Sequence, residues 1–184
     1  KNGNIEGVSK EYYEDGTLNA EWNYKNGKKS GISKAYYKNG ALQGESPYLN
    51  DQLHGIFKEY QHNGKLAGEY TYVQGVLNGS AKEYYANGAL RMEGNYTDGQ
   101  VNGTKKGYYE NGAVKYEENY KGGKEDGVQK NFSESGNLMS EKEMKDNIPD
   151  GASKHYYSSG KLRMECDYKQ GKPLDGCKGY SETG

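Results

Sequence analysis

The sequence predicts an all-β fold, an elongated single-layer antiparallel meander built from tandem β-hairpin repeats of 24 residues. Three observations predict it. The chain restates itself at a fixed period of 24 residues, each restatement carries two turn signals, and 20 Tyr and 28 Gly accompany only 32 % hydrophobic residues. A fixed period of roughly 20 to 50 residues marks a repeat architecture. So little aliphatic material cannot build a conventional closed core, and so much tyrosine is foreign to disordered chains.

Laid out from Gly7, the chain gives full rows at 7–30, 31–54, 55–78, 79–102, 103–126, 127–150 and 151–174, with partial rows at 1–6 and 175–184. No insertion interrupts them, so the expectation is one continuous array over residues 1–184. It opens on the ending of a row and stops inside another, which reads as an excerpt of a longer protein or a processed product.

Within a row, column 4 is Lys (Lys10, Lys34, Lys58, Lys82, Lys106, Lys130, Lys154, then Lys178) and column 6 is aromatic from Tyr12 to Tyr180, with Phe132 the one exception to Tyr. Columns 9 and 10 follow, Asn-Gly in four full rows and Asp-Gly or Ser-Gly in the other three, with the glycine column running from Gly16 to Gly184. Flanked by β-favouring residues, such a dipeptide predicts a two-residue hairpin turn with positive φ. Column 12 is aliphatic from Leu18 to Leu162. Column 15 is Glu in every full row: Glu21, Glu45, Glu69, Glu93, Glu117, Glu141 and Glu165. Column 18 is Tyr except at Met144, and columns 20 and 21 supply a second turn, from Asn26-Gly27 to Gln170-Gly171.

A two-residue loop at the first turn sets each column 4 Lys opposite the column 15 Glu of its row, as Lys10 faces Glu21. Opposite charges so placed contribute about 0.2–1 kcal/mol per pair and penalise a slipped register. The same register sets the column 7 Tyr opposite the column 12 Leu on the other face, together with columns 14, 16 and 18. Tyrosine suits an open sheet because it buries a ring and keeps its hydroxyl wet. Like rings stacked along an array stabilise neighbouring rows.

The pattern is cleanest in GSAKEYYANGALRMEGNYTDG, Gly79 to Gly99. It resembles the MORN repeat variant found in bacterial proteins often labelled YwqK-family antitoxins, and the resemblance covers essentially the whole chain. It implies a string of hairpins that serves as a binding or scaffolding surface. Some relatives are thought to neutralise toxins, and other MORN proteins are associated with membranes or larger assemblies.

No catalytic, cofactor or metal-ligand pattern stands out. His54, His62 and His155 fall in different columns of different rows, and a Lys-Glu pair repeated in every row is a structural device, where an active site is singular. Twenty-six acids against 25 bases leave no field for nucleic acid or an anionic membrane. Cys166 and Cys177 are the only thiols. Carried from the second turn, strict register sets Cys166 opposite Asp175 and leaves Cys177 diagonal, at a reach of about 7 Å; a disulfide and two free thiols both stay open. A disulfide would place the protein outside a reducing cytosol, in the extracellular space or at a cell surface.

Function is sought where rows differ. Column 16 varies most, and with column 14 it gives a stripe of Trp22, Tyr70, Met92, Tyr116 and Met164. Trp and Tyr are enriched at binding hot spots, although such side chains also cover their own neighbours on a thin sheet. The expectation is a non-enzymatic scaffold that binds another protein through its tyrosine-rich face. The alternatives are self-association through open sheet edges into a fibre or array and, third, membrane association.

Overall fold

The computed structural model describes residues 4–183. Gly184 of the glycine column and the first three residues of the leading partial row lie outside them. Among the described residues there are twenty strands and no helix, in two compact units that meet in sequence between Gly88 and Ala89.

The first unit contains β1 (Gly7–Tyr12), β2 (Leu18–Lys25), β3 (Lys28–Lys29), β4 (Gly31–Tyr36), β5 (Leu42–Leu49), β6 (Gln52–Leu53), β7 (Gly55–Tyr60), β8 (Leu66–Val73) and β9 (Val76–Tyr84). The second contains β10 (Leu90–Thr97), β11 (Gln100–Val101), β12 (Gly103–Tyr108), β13 (Val114–Lys121), β14 (Lys124–Glu125), β15 (Gly127–Phe132), β16 (Leu138–Lys145), β17 (Ile148–Tyr156), β18 (Leu162–Lys169), β19 (Lys172–Pro173) and β20 (Lys178–Gly179). Within each unit successive strands pair antiparallel, as β1 with β2 and β12 with β13, so each unit is an open meander.

The first turn departs from the expected two-residue form. Gly16 N–H donates to Tyr13 O at 2.9 Å and Tyr13 N–H donates to Thr17 O at 2.8 Å, which closes a three-residue loop, and the other rows repeat it. Only its glycine has positive φ, +83° at Gly16 and +80° at Gly40. The Asn or Asp before it instead accepts from the backbone two residues on, Asn39 Oδ1 from Ala41 N–H at 3.0 Å and Asn111 Oδ1 from Ala113 N–H at 2.9 Å. That side-chain turn explains the Asn and Asp preference. The extra residue shifts the register by one, so Leu18 faces Tyr12 of column 6, where the expected partner was Tyr13 of column 7.

The second turn has the expected form: both central residues take positive φ, as at Asn26 (+53°) and Gly27 (+78°), the requirement of a type I′ turn. Beyond it comes a feature invisible in the turn residues. Tyr24 faces Lys29, but Glu21 faces Lys34, so the second strand has gained two residues on the first. A column 1 glycine with positive φ, such as Gly31 at +93° or Gly79 at +123°, absorbs the gain. A jump of two preserves the side-chain alternation, so faces carry through from row to row. It also lays each Glu opposite the Lys of the next row, as Glu69 with Lys82 and Glu93 with Lys106.

One face holds what core there is. Ala20, Ala81, Met144 and Cys166 are its buried apolar side chains, beside buried Ser33, Gln129 and Ser153. The tyrosines stitch rows together. From Tyr36 onward the column 6 tyrosine hydroxyls reach back to the Glu of the preceding row, Tyr36 to Glu21 at 3.0 Å and Tyr156 to Glu141 at 2.8 Å. The column 7 tyrosines Tyr13, Tyr37, Tyr109 and Tyr157 reach forward to a backbone carbonyl of the following row, Tyr13 to Tyr36 O at 2.7 Å and Tyr109 to Phe132 O at 2.8 Å.

Phe132 stands where a tyrosine would donate to Glu117, fifteen residues back, as Tyr156 does to Glu141. Phe132→Tyr is therefore expected to stabilise the second unit by about 1 kcal/mol, read as a rise of about 2–4 °C in the unfolding midpoint. An unchanged or lower midpoint would show that the hydroxyl bonds of the other rows add nothing net.

Candidate partner-binding face

The Lys-Glu columns lie on the face opposite the buried side chains. Lys10, Lys34, Lys58, Lys106, Lys130 and Lys154 sit directly across from Glu21, Glu45, Glu69, Glu117, Glu141 and Glu165. Ion pairs close at Lys10–Glu21 (2.9 Å), Lys34–Glu45 (3.6 Å), Lys58–Glu69 (3.7 Å) and Lys106–Glu117 (2.8 Å), while Glu165 pairs forward with Lys178 at 3.9 Å. The Lys10 ammonium, hydrogen-bonded to Glu21, holds that carboxyl below the usual range. These pairs are half-exposed, and such pairs contribute about 0–1 kcal/mol each, so they specify register more than they stabilise.

The opposite face carries the variable stripe, and the structure breaks it into separate patches. In the first unit Trp22 and Tyr70 belong to two separate groups of rings. Trp22 lies 6.4 Å from Tyr48 between ring centres, and Phe57 lies 6.1 Å from Tyr70 and 6.4 Å from Tyr72. Lys29 Nζ sits 3.4 Å above the Trp22 ring, and Trp22 Nε1 is buried without a hydrogen-bond partner among the described residues. Phe57, Tyr48 and Lys29 were not singled out by the sequence; Phe57 breaks a column of otherwise small or polar residues, which is the signal that could have found it.

None of the five stripe residues is fully exposed, and two of them cover glycine. A Cβ built on Gly68 would fall 2.6 Å from Tyr70 Cε2, and one on Gly107 would fall 2.1 Å from Tyr116 Cε1, so both rings lie flat over glycine backbone. The stripe residues are at once cover for the sheet and its half-open outer surface.

In the second unit Met92 faces Gly107, and Gly107 faces Tyr116. Met164 stands apart from Tyr116 because the strands between them present Asn131, Ser140 and His155. Beside Tyr116, Glu118 accepts from Tyr120 OH at 2.9 Å and pairs with Lys105 at 3.6 Å. Burial first, and this carboxylate second, push the Tyr120 hydroxyl well above the usual phenol range.

Cys166 and Cys177 form a disulfide with Cα atoms 4.5 Å apart. The diagonal placement expected from the turn is corrected by the two-residue jump. Tyr168 faces Pro173, but Glu165 faces Lys178, and the shifted register brings Cys177 directly across from Cys166.

Seven consecutive stretches match the family model described as MORN repeat variant, at residues 5–26, 29–50, 53–74, 77–98, 101–121, 125–146 and 149–170. Among curated proteins no significant match is found.

Proposed function

Because the chain belongs to the MORN repeat variant family, whose repeats build scaffolds, we propose that it is a non-enzymatic scaffold that binds another protein through the face opposite the Lys-Glu columns. The observation that supports this most is the aromatic content of that face in the first unit, where Trp22 pairs with Tyr48 and Phe57 with Tyr70 and Tyr72. Tyr48 and Tyr72 repeat with column 18, whereas Trp22, Phe57 and Tyr70 stand where rows differ. Rigid aromatic side chains over small neighbours give contact area at little entropic cost, the property of binding hot spots. A toxin neutralised in an immunity-like pairing, or a protein met at a cell surface, is the finer form of this reading.

Trp22→Ala is expected to weaken partner capture by at least about 30-fold, the effect of losing about 2 kcal/mol at a hot spot, and Tyr116→Ala to weaken it less. Capture from native extract identifies the partner, binding is measured with the purified pair, and circular dichroism checks that each variant keeps its fold. Unchanged affinity in both variants removes this face as the binding site. Recovery of nothing but further copies of the chain, in large assemblies by light scattering, would replace the reading with self-association.

A further inference from the structure

Four stretches of the chain read Asn-x-Ser/Thr without proline in the middle: Asn78-Gly79-Ser80, Asn95-Tyr96-Thr97, Asn102-Gly103-Thr104 and Asn131-Phe132-Ser133. That tripeptide is the acceptor for N-linked oligosaccharide in secreted proteins, where the attached asparagine stands on the surface. The pattern alone is common, but an independent observation bears on the compartment. Cys166 and Cys177 are joined as a disulfide, and disulfides form and persist in the oxidising compartments through which secreted chains pass.

The fold treats the four asparagines differently. Asn131 lies across from Tyr116, on the face proposed for the partner, and its Nδ2 donates to Ser140 Oγ at 3.3 Å. Asn78 is half-buried. Asn102 is exposed, but its Oδ1 accepts from Gly122 N–H at 3.3 Å in the next row, and Thr104 Oγ1 donates to Asn119 Oδ1 at 2.8 Å. Asn95 and Thr97, both exposed at the end of β10, have no side-chain hydrogen bond among the described residues. Asn95 lies two residues beyond Glu93, so strand alternation puts it on the Lys-Glu face. A bulky hydrated group on Asn95 therefore displaces no hydrogen bond of the fold, and it leaves Met92 and Tyr116 on the other face uncovered.

We propose that Asn95 is an N-glycosylation site. The co-reactant is an oligosaccharide carried on a lipid diphosphate. The bond that forms joins Asn95 Nδ2 to the anomeric carbon of the sugar. The bond that breaks links that carbon to the diphosphate, which departs with the electron pair, and the amide gives up one proton. In the second unit the Lys-Glu face is then the sugar-covered side, and the face of Met92 and Tyr116 is the one left open for contact. The inference goes beyond the protein-binding reading and does not depend on it.

The test takes the intact chain from its native source, digests it with trypsin and sequences the peptide from Met92 to Lys105 by electron-transfer mass spectrometry. That peptide holds both Asn95 and Asn102. An oligosaccharide mass on Asn95 is expected. Produced in the same host, Thr97→Ala is expected to lose it completely and Thr97→Ser to keep it, with circular dichroism unchanged in both. A peptide that is unmodified, or modified on Asn102 alone, would overturn the site. A sugar that survives Thr97→Ala would overturn its attachment through the tripeptide. Partner capture through Trp22 is read on a different face and by a different measurement, so the two readings fail separately.

Discussion

Gly79→Ala is expected to cost about 2–4 kcal/mol of unfolding free energy. Gly79 absorbs the two-residue register jump in β9 at φ +123°, a conformation that costs a residue with a Cβ about 1–3 kcal/mol. The added Cβ also falls 2.9 Å from both Cβ and Cγ2 of Thr71 on β8. Thr71 is β-branched and fixed by its strand, so it yields little, and overpacking adds about 1–3 kcal/mol. Gly16→Ala is the control: it also has positive φ, +83°, but nothing lies within 4 Å of its Cβ, and it pays the backbone strain alone. Denaturant unfolding should give the larger loss for Gly79→Ala. Equal losses would mean that Thr71 moves aside freely and that the jump is not tightly packed.

The second large effect is an alkaline collapse. Burial first, then the hydrogen bond to the facing carboxylate, raises the Tyr108 and Tyr156 hydroxyls from the ordinary 10.0 to about 12. The same two causes raise Tyr36 and Tyr60, and at Tyr180 the bond to Glu165 leads. The fold therefore prefers the neutral phenol. The contribution is complete below the unfolded value near 10.0 and disappears as pH rises through the folded value near 12. Thermal stability should hold up to about pH 9.5, then fall steeply between the ordinary tyrosine value and about 12, with tyrosinate absorbance rising as β-structure is lost. Tyrosinate that forms near pH 10 in a still-folded protein would show that the hydroxyl-carboxylate bonds are too solvated to matter.

Most of the architecture was legible because side-chain alternation has a period of two. The division into faces follows from any antiparallel register of the right parity, and Lys10 falls opposite Glu21 because the irregularity between Glu11 and Tyr12 offsets the extra loop residue. What parity does not show is a jump of two, and that jump brings Cys177 across from Cys166 and gives each Glu a Lys on both sides. The first turn was misread for a related reason. Asn-Gly serves both a two-residue turn, where both residues take positive φ, and a three-residue loop, where Asn39 stays at negative φ and bonds to Ala41 through its side chain. Trp22, Tyr70, Met92, Tyr116 and Met164 were expected to form a stripe, and in the second unit they do not form a continuous one. Asn131 and His155 interrupt it in space while leaving the columns intact on paper.

The tyrosines that reach forward and backward have a consequence for how such a chain can change its length. The hydroxyl of Tyr13 completes its bond in the row that follows, and the hydroxyl of Tyr36 in the row before. A single row is thus an unfinished part, like a tile with a tongue on one edge and a groove on the other. Inserting or deleting whole copies of 24 residues lets every tongue find a groove again. A block of any other length leaves mismatched edges at the scar. Length in this array is quantised, and its natural unit of growth is the duplicated copy.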